Sequence, residues 1–347
     1  MSRLLLVLAS LMVLLLLAPP AQAQSSVGLS VGNTGLRIGD ARYVNGIRIN
    51  YRDRELRRVN GINLTIWTPY EDAARSRVNG LALGVPLSQA SELRGVGLGL
   101  FGVGATGSAR GLIIGGLGAG AGDDAEGILI GGLGVGAGDN VEGIVIGGLG
   151  AGAGEGATGI MIGGLGAGAG GNAEGILVGG LGAGAGGSAR GIVFGGLGVG
   201  AGGDMEGILV GGLAAGAGGS LTGITVAGLA AGAGRSLQGL TVAGLAAGSP
   251  RVRGVVLTGV AAGGVDVRGL VVTGAYFLIQ SERRRGGQFT GVAASAYNRI
   301  RGTQRGLTIG VLNYARRLRG VQLGVINVVA DNPRWARVLP LINVPFR

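Results

Sequence analysis

The amino-acid sequence predicts an all-β fold: a β-solenoid, or β-roll, of about 18 coils built on a 16-residue repeat. Three observations predict it. Eight units of 16 residues follow one another without a slip from Gly111 to Gln238, each like GILIGGLGVGAGDNVE from Gly127. A fixed period of that size is the signature of stacked repeat architectures. Seven of the eight units hold six or seven glycines and the last holds four, and glycine costs about 1 kcal/mol per helical position relative to alanine, so helix is disfavoured. The remaining apolar positions are mostly branched and alternate locally, as in Ile128, Leu129 and Ile130, which is a strand pattern.

Taken in chain order, the first element is an export signal at residues 1–23. Arg3 supplies a positive charge, Leu4 to Leu17 is an almost unbroken apolar run, and Ala21-Gln22-Ala23 is a small-x-small cleavage site. The run is shorter than the ~20 apolar residues of a membrane-spanning helix. The mature chain is expected to start near Gln24, with no cysteine there to take a lipid. Residues 24–347 read as a single repeat domain. Irregular N-terminal repeats occupy 24–110, with leading glycines at Gly46, Gly61, Gly80 and Gly95. The strict glycine-rich repeats occupy 111–238. C-terminal repeats fill 239–347, with leading glycines at Gly239, Gly254, Gly269, Gly291, Gly306 and Gly320 and a longer loop near 280–287.

Within one unit the expected coil is two short strands joined by two corners. For the unit at Gly127, corners at Gly131-Gly132 and Gly138-Asp139-Asn140 would turn Ile128, Ile130, Leu133, Val135, Ala137 and Val141 into a common interior. Glycine at both corners would supply positive φ. Position three of each unit would then face outward as an apolar stripe: Ile113, Leu129, Val145, Met161, Leu177, Val193 and Leu209. An exposed stripe of that length marks an interface, and the expected partner is a second copy or the cell envelope. Gly132, Gly134, Gly136 and Gly138 would leave the outer face of the second strand bare. One unit alone cannot bury enough apolar surface to order itself, so stacking is obligatory.

The competing architecture is an antiparallel outer-membrane β-barrel, such as a pore. Asn45-Gly46, Asn60-Gly61 and Asn79-Gly80 are hairpin signals, and 12 residues from Gly111 would suit a tilted membrane strand. Against it, the stretch from Gly102 to Ala275 has one aromatic residue, Phe194, where a barrel carries aromatic girdles.

Composition narrows the chemistry. Cysteine and histidine are absent, which removes disulfides, thiolate and imidazole metal sites, and every nucleophile–histidine pair. The acids recur with the repeat and do not converge, so no catalytic, cofactor-binding or metal-ligating residue is assigned, no cofactor or small-molecule substrate is expected, and the chain reads as non-enzymatic. The net charge is +11 and every base is arginine. Between Gly111 and Thr222 nine acids face the single base Arg190, so the positive charge lies in the flanks. Basic flanks on an exported chain suit anionic envelope components rather than nucleic acid.

Three motifs lack the context their usual functions require. The recurring G-x-G-x-G lacks the following helix that a nucleotide loop needs. The acidic turns at Asp123-Asp124 and Asp139-Asn140 give way to Glu155-Gly156 and Gly171-Asn172, so no calcium ladder is maintained. Thr225, Thr241, Thr258 and Thr273, one per coil, are too sparse a file for an ice-binding array.

The C-terminal units read GLTIGVLN from Gly306 and GVQLGVIN from Gly320. That form resembles bacterial surface-repeat proteins of the leptospiral type, over residues 291–347 and more loosely over 43–100. The central run departs from it, with Gly116 where a bulky residue belongs, and is similar instead to the β-roll heads of trimeric autotransporter adhesins. Both resemblances imply a surface or envelope location: cell surface, outer membrane or periplasm. The expected function is an exported structural or adhesive protein.

Overall fold

The computed structural model describes residues 26–67, 75–281 and 286–346. The expected export signal at 1–23 lies outside them. The described residues form a parallel β-solenoid of about 16 turns, with no helix beyond a single 3₁₀ turn at Arg334–Ala336. Each coil of the strict run carries a long strand, such as Ala125–Gly131, and a short one, such as Gly134–Ala137. Both pair in parallel with their equivalents one coil on, in register: Glu126 with Glu142, Leu129 with Val145, Gly134 with Gly150. Sixteen residues per unit with no slip therefore becomes an unbroken ladder along the rod.

The two ends are closed by antiparallel pairs. Ser26–Val31 folds back on Thr34–Gly39, and Val338–Asn343 lies antiparallel to the last long strand from Gln322. Such caps occupy the edge hydrogen bonds that would otherwise template further pairing. The first units return through loops rather than a second strand, as at 51–57. The loop expected near 280–287 falls between the strands Tyr276–Ile279 and Gly287–Ala294, with residues 282–285 outside the described set.

Parallel neighbours and a packed interior rule out the barrel alternative. The Asn-Gly pairs read as hairpin signals sit inside strands. Their asparagines stack instead, Asn60 donating to Asn45 and Asn79 to Asn60 across successive coils.

The side-chain phase of the long strand is the reverse of the one predicted. Leu129 and its equivalents Ile113, Val145, Met161, Leu177, Val193 and Leu209 are the core of the rod, while Ile128 and Leu133 are exposed and Ile130 is half-buried. Val135, Ala137 and Val141 point inward as expected. The reason is parity. Alternation runs through the leading glycine without a reset, so a buried residue at Ala125 or Val141 puts the third position of the next unit inside. The interior is also narrow. In the glycine-rich coils a Cβ on Gly131 would collide with the carbonyl of Gly134 at the corner, whereas later coils hold the buried Ala227, Ala243, Thr258 and Thr273 at the equivalent place. Where the short strand brings a bulky residue inward, the long strand yields: Phe277 packs edge-on against Phe289, ring centroids 5.1 Å apart, beside Ala293 in the third position.

The corner glycines serve closeness rather than handedness. Positive φ falls not at the corners but on the leading glycine inside each long strand, 115° at Gly127. At the corners the stacked coils approach so closely that a Cβ on Gly132 would meet the carbonyl oxygen of Gly116, and one on Gly138 that of Gly122.

Charged and amide side chains enter the interior only towards the ends. Arg48 is fully buried near the N-terminus, donating to Asp40 (2.7 Å), to Asn63 (3.0 Å) and to Asp53, which also accepts from Thr65 and Asn50. Near the C-terminus a file of buried amides runs along the axis, Asn298 donating to Asn313 and Asn313 to Asn327, each at 2.8 Å. Identical amides one coil apart satisfy each other, which lets asparagine replace an aliphatic residue inside. Thr225, Thr241, Thr258 and Thr273 are buried as well, so they present no outward array.

Candidate contact surface

The outward face of the long strand is the chain's most uniform feature. Because odd and even positions alternate, positions two and four of every unit point out. They are Ile47 and Ile49 in the first such coil, Ile128 and Ile130 in the middle, and Val321 and Leu323 in the last. Every unit between follows suit, with Phe194 the sole aromatic, and none of these side chains is fully buried. The inward row is less apolar: it includes Arg48, Asn63, Thr225, Thr241, Thr308 and Gln322. The apolar stripe anticipated at position three therefore exists, but on the two flanking positions.

A third file continues this surface round the corner. Leu117, Leu133, Leu149, Leu165, Leu181, Leu197, Leu213, Leu229 and Leu245 each stand 44–50% exposed. Beyond it the short strands from Gly118 to Ala201 present only glycine outward, as predicted, while Ala214, Ala230, Ala246 and Ala261 and then Tyr276 enter the same face in later coils. Packing does not require every one of those glycines, although a Cβ on Gly184 would meet the carbonyl oxygen of Gly200. A Cβ on Gly134 would find its nearest neighbour 4.0 Å away, and one on Gly104 nothing within 4 Å.

Within the strict run charge is confined to the other edge and its turn, and it is segmented along the rod. The row beside the aliphatic face reads Arg94, Arg110, Glu126, Glu142, Thr158, Glu174, Arg190, Glu206, Thr222, Gln238, Arg253, Arg268, Thr290 and Arg305 from coil to coil. Two neighbours pair within the row, Arg110 with Glu126 at 3.2 Å and Arg190 with Glu206 at 3.4 Å. Both pairs are solvated and contribute little. The acids of the strict run thus lie spread along one edge and its turn, where Asp124 accepts hydrogen bonds from the backbone and side chain of Asn140. Among the described residues no three carboxylates cluster to hold a metal.

One concavity stands out near the N-terminus. A cleft of about 440 Å³ is lined by Tyr43, Arg57, Arg58, Arg75, Arg77 and Glu92, among others. Arg77 donates to Glu92 at 2.6 Å, and this hydrogen bond, more than the charge itself, lowers the Glu92 pKa and raises that of Arg77. Arg57, Arg58 and Arg75 form no ion pair among the described residues. The cleft is a local concentration of positive charge on the basic N-terminal flank.

The sequence assigns no catalytic, cofactor-binding or metal-ligating residue, so the surface itself is the candidate. Its sequence signal was present: positions two and four are aliphatic more consistently than position three. Reading the more apolar row as the interior is what concealed it. No protein-family model matches the chain, and neither does any curated protein or solved structure.

Proposed function

We propose that this is an exported, non-enzymatic structural or adhesive protein of the bacterial cell surface, whose rod makes contact through its aliphatic sheet. One observation carries the reading. The solvent-facing row of the long strand is apolar in every unit from Ile47 to Leu323, whereas the interior row tolerates arginine, asparagine and threonine. Isolated proteins seldom leave contiguous apolar patches beyond roughly 300–600 Å², and this one runs the length of the rod. The arginine-rich ends and the N-terminal cleft add attraction to anionic envelope polymers, which would hold the rod near the surface at low salt.

Fractionation of a Gram-negative host expressing the full chain tests this. The expected result is a processed chain beginning near Gln24, recovered with the envelope and released by carbonate or urea. An unprocessed chain in the cytosol, or an envelope chain that resists both washes, would overturn it.

A further inference from the structure

We infer that the occupant of the aliphatic face is a second copy of this chain, packed antiparallel, with Gln238 of each copy on the two-fold axis. The inference rests on the face being a contact surface, and it names the partner.

An antiparallel pair related by an axis along the strands lays like rows on like. Position two meets position two, position four meets position four, and the charged row meets itself reversed. Any parallel face-to-face pairing would set the charged row against the leucine corner instead, which costs desolvation without compensation.

The charged row then selects the offset. Counting coils outward from Gln238, Glu206 lies two coils one way and Arg268 two coils the other. Glu174 and Arg305 are each four coils out, and Arg190 and Thr290 each three. With Gln238 central, each copy sets Glu206 against Arg268 and Glu174 against Arg305. No like charges meet anywhere in the row. Glu174 and Arg305 are exposed and have no ion pair in their own chain among the described residues. Gln238 faces itself, and a primary amide both donates and accepts, so the central pair is self-complementary.

A separate observation agrees with the same offset. Phe194, the only aromatic in position four and 43% exposed, lies three coils from Gln238. Ala294, the only alanine in that file, lies three coils away on the other side. The largest and smallest outward residues therefore oppose each other, knob against hole.

The overlap runs over 11 coils, from Gly159 to Gly320. At ~4.8 Å per coil and ~3.3 Å per residue across five residues, it covers about 850 Å² per copy, or ~1,700 Å² in all. Stable specific interfaces bury about 1,200–2,000 Å². The aliphatic face N-terminal of Gly159 stays outside the pair, available to the envelope.

The test uses purified protein, so it is independent of where the chain resides in the cell. Sedimentation should show a dimer. Glu174→Arg with Glu206→Arg should raise its Kd at least about tenfold, since four cross-copy attractions become repulsions. Adding Arg268→Glu and Arg305→Glu to the same chain should restore it. The chain has no cysteine, so Gln238→Cys gives one reactive thiol, and a bis-maleimide spanning ~10 Å between facing sheets should yield a covalent dimer. Thr158→Cys should not couple, because ten coils, ~48 Å, would separate it from its own copy. A monomer at micromolar concentration, a reversal without rescue, or equal coupling at the two cysteines overturns the antiparallel pair. Any of these, with the chain still found in the envelope, leaves the contact reading standing with a different occupant.

Discussion

Substituting serine at two adjacent residues, Leu129 and Ile128, separates the two phases of the long strand. Leu129 is fully buried, stacked between Ile113 and Val145 of the flanking coils, whereas Ile128 is 39% exposed. Removing the Leu129 side chain forfeits its transfer energy and leaves a cavity, together costing about 2–5 kcal/mol. The new hydroxyl is buried among aliphatic groups and adds ~1–3 kcal/mol if unpartnered. Ile128→Ser loses only part of a burial worth ~1.5–3 kcal/mol, so its cost is about 1–2 kcal/mol. Urea unfolding followed by circular dichroism measures both. Leu129→Ser should lower the midpoint by at least twice as much as Ile128→Ser. Because a solenoid's stability is a sum of unit and neighbour terms, amide exchange should also quicken in the units containing Ile113 and Val145. Ile128 lies outside the proposed overlap between copies, so association does not confound the comparison. An Ile128→Ser effect as large as that of Leu129→Ser would refute the observed phase and reinstate the one predicted from sequence.

Three further outcomes follow from the same geometry. Gly134→Ala should be neutral or stabilising by about 0.4–1 kcal/mol, because its Cβ meets open space and alanine restricts the unfolded chain; Gly132→Ala should be strongly destabilising in the same thermal melts. Asp53→Ala strips Arg48 of a buried partner and should cost about 3–5 kcal/mol, seen as faster amide exchange confined to the N-terminal coils. Glu92 has a folded pKa held below its unfolded value of about 4.3, chiefly by the Arg77 hydrogen bond. Its contribution is therefore complete above about pH 4.3 and lost as pH falls through the folded pKa. Glu92→Gln should flatten that acid limb in a pH series of melts by slightly lowering the neutral-pH melting temperature, while leaving the melt below the folded pKa nearly unchanged.

The buried polar groups show where sequence reading stops. Arg48 and Asn63 occupy position three of their units, the row assigned outward, so their burial was hidden by the same parity error that hid Leu129. Asn313 and Asn327 were visible as the closing residues of GLTIGVLN and GVQLGVIN, but not as an internal amide file. That role depends on coils stacking in register, which brings each amide within 2.8 Å of its equivalent.

What the sequence determined by itself is the repeat, its period, and the need for stacking. These follow from composition and spacing: helix is excluded by glycine, and a unit this small cannot fold without its neighbours. The glycine face of the short strand was legible for the same reason, since strict alternation leaves no other row for the side chains. Which aliphatic row is core and which is surface follows from how the coils pack. Leu129 and Ile128 are equally apolar, so hydropathy cannot rank them. The choice is made by parity across the stacked strands: Ala125 and Val141 are buried, and alternation from them through the leading glycine puts Leu129 and Val145, not Ile128 and Ile144, inside.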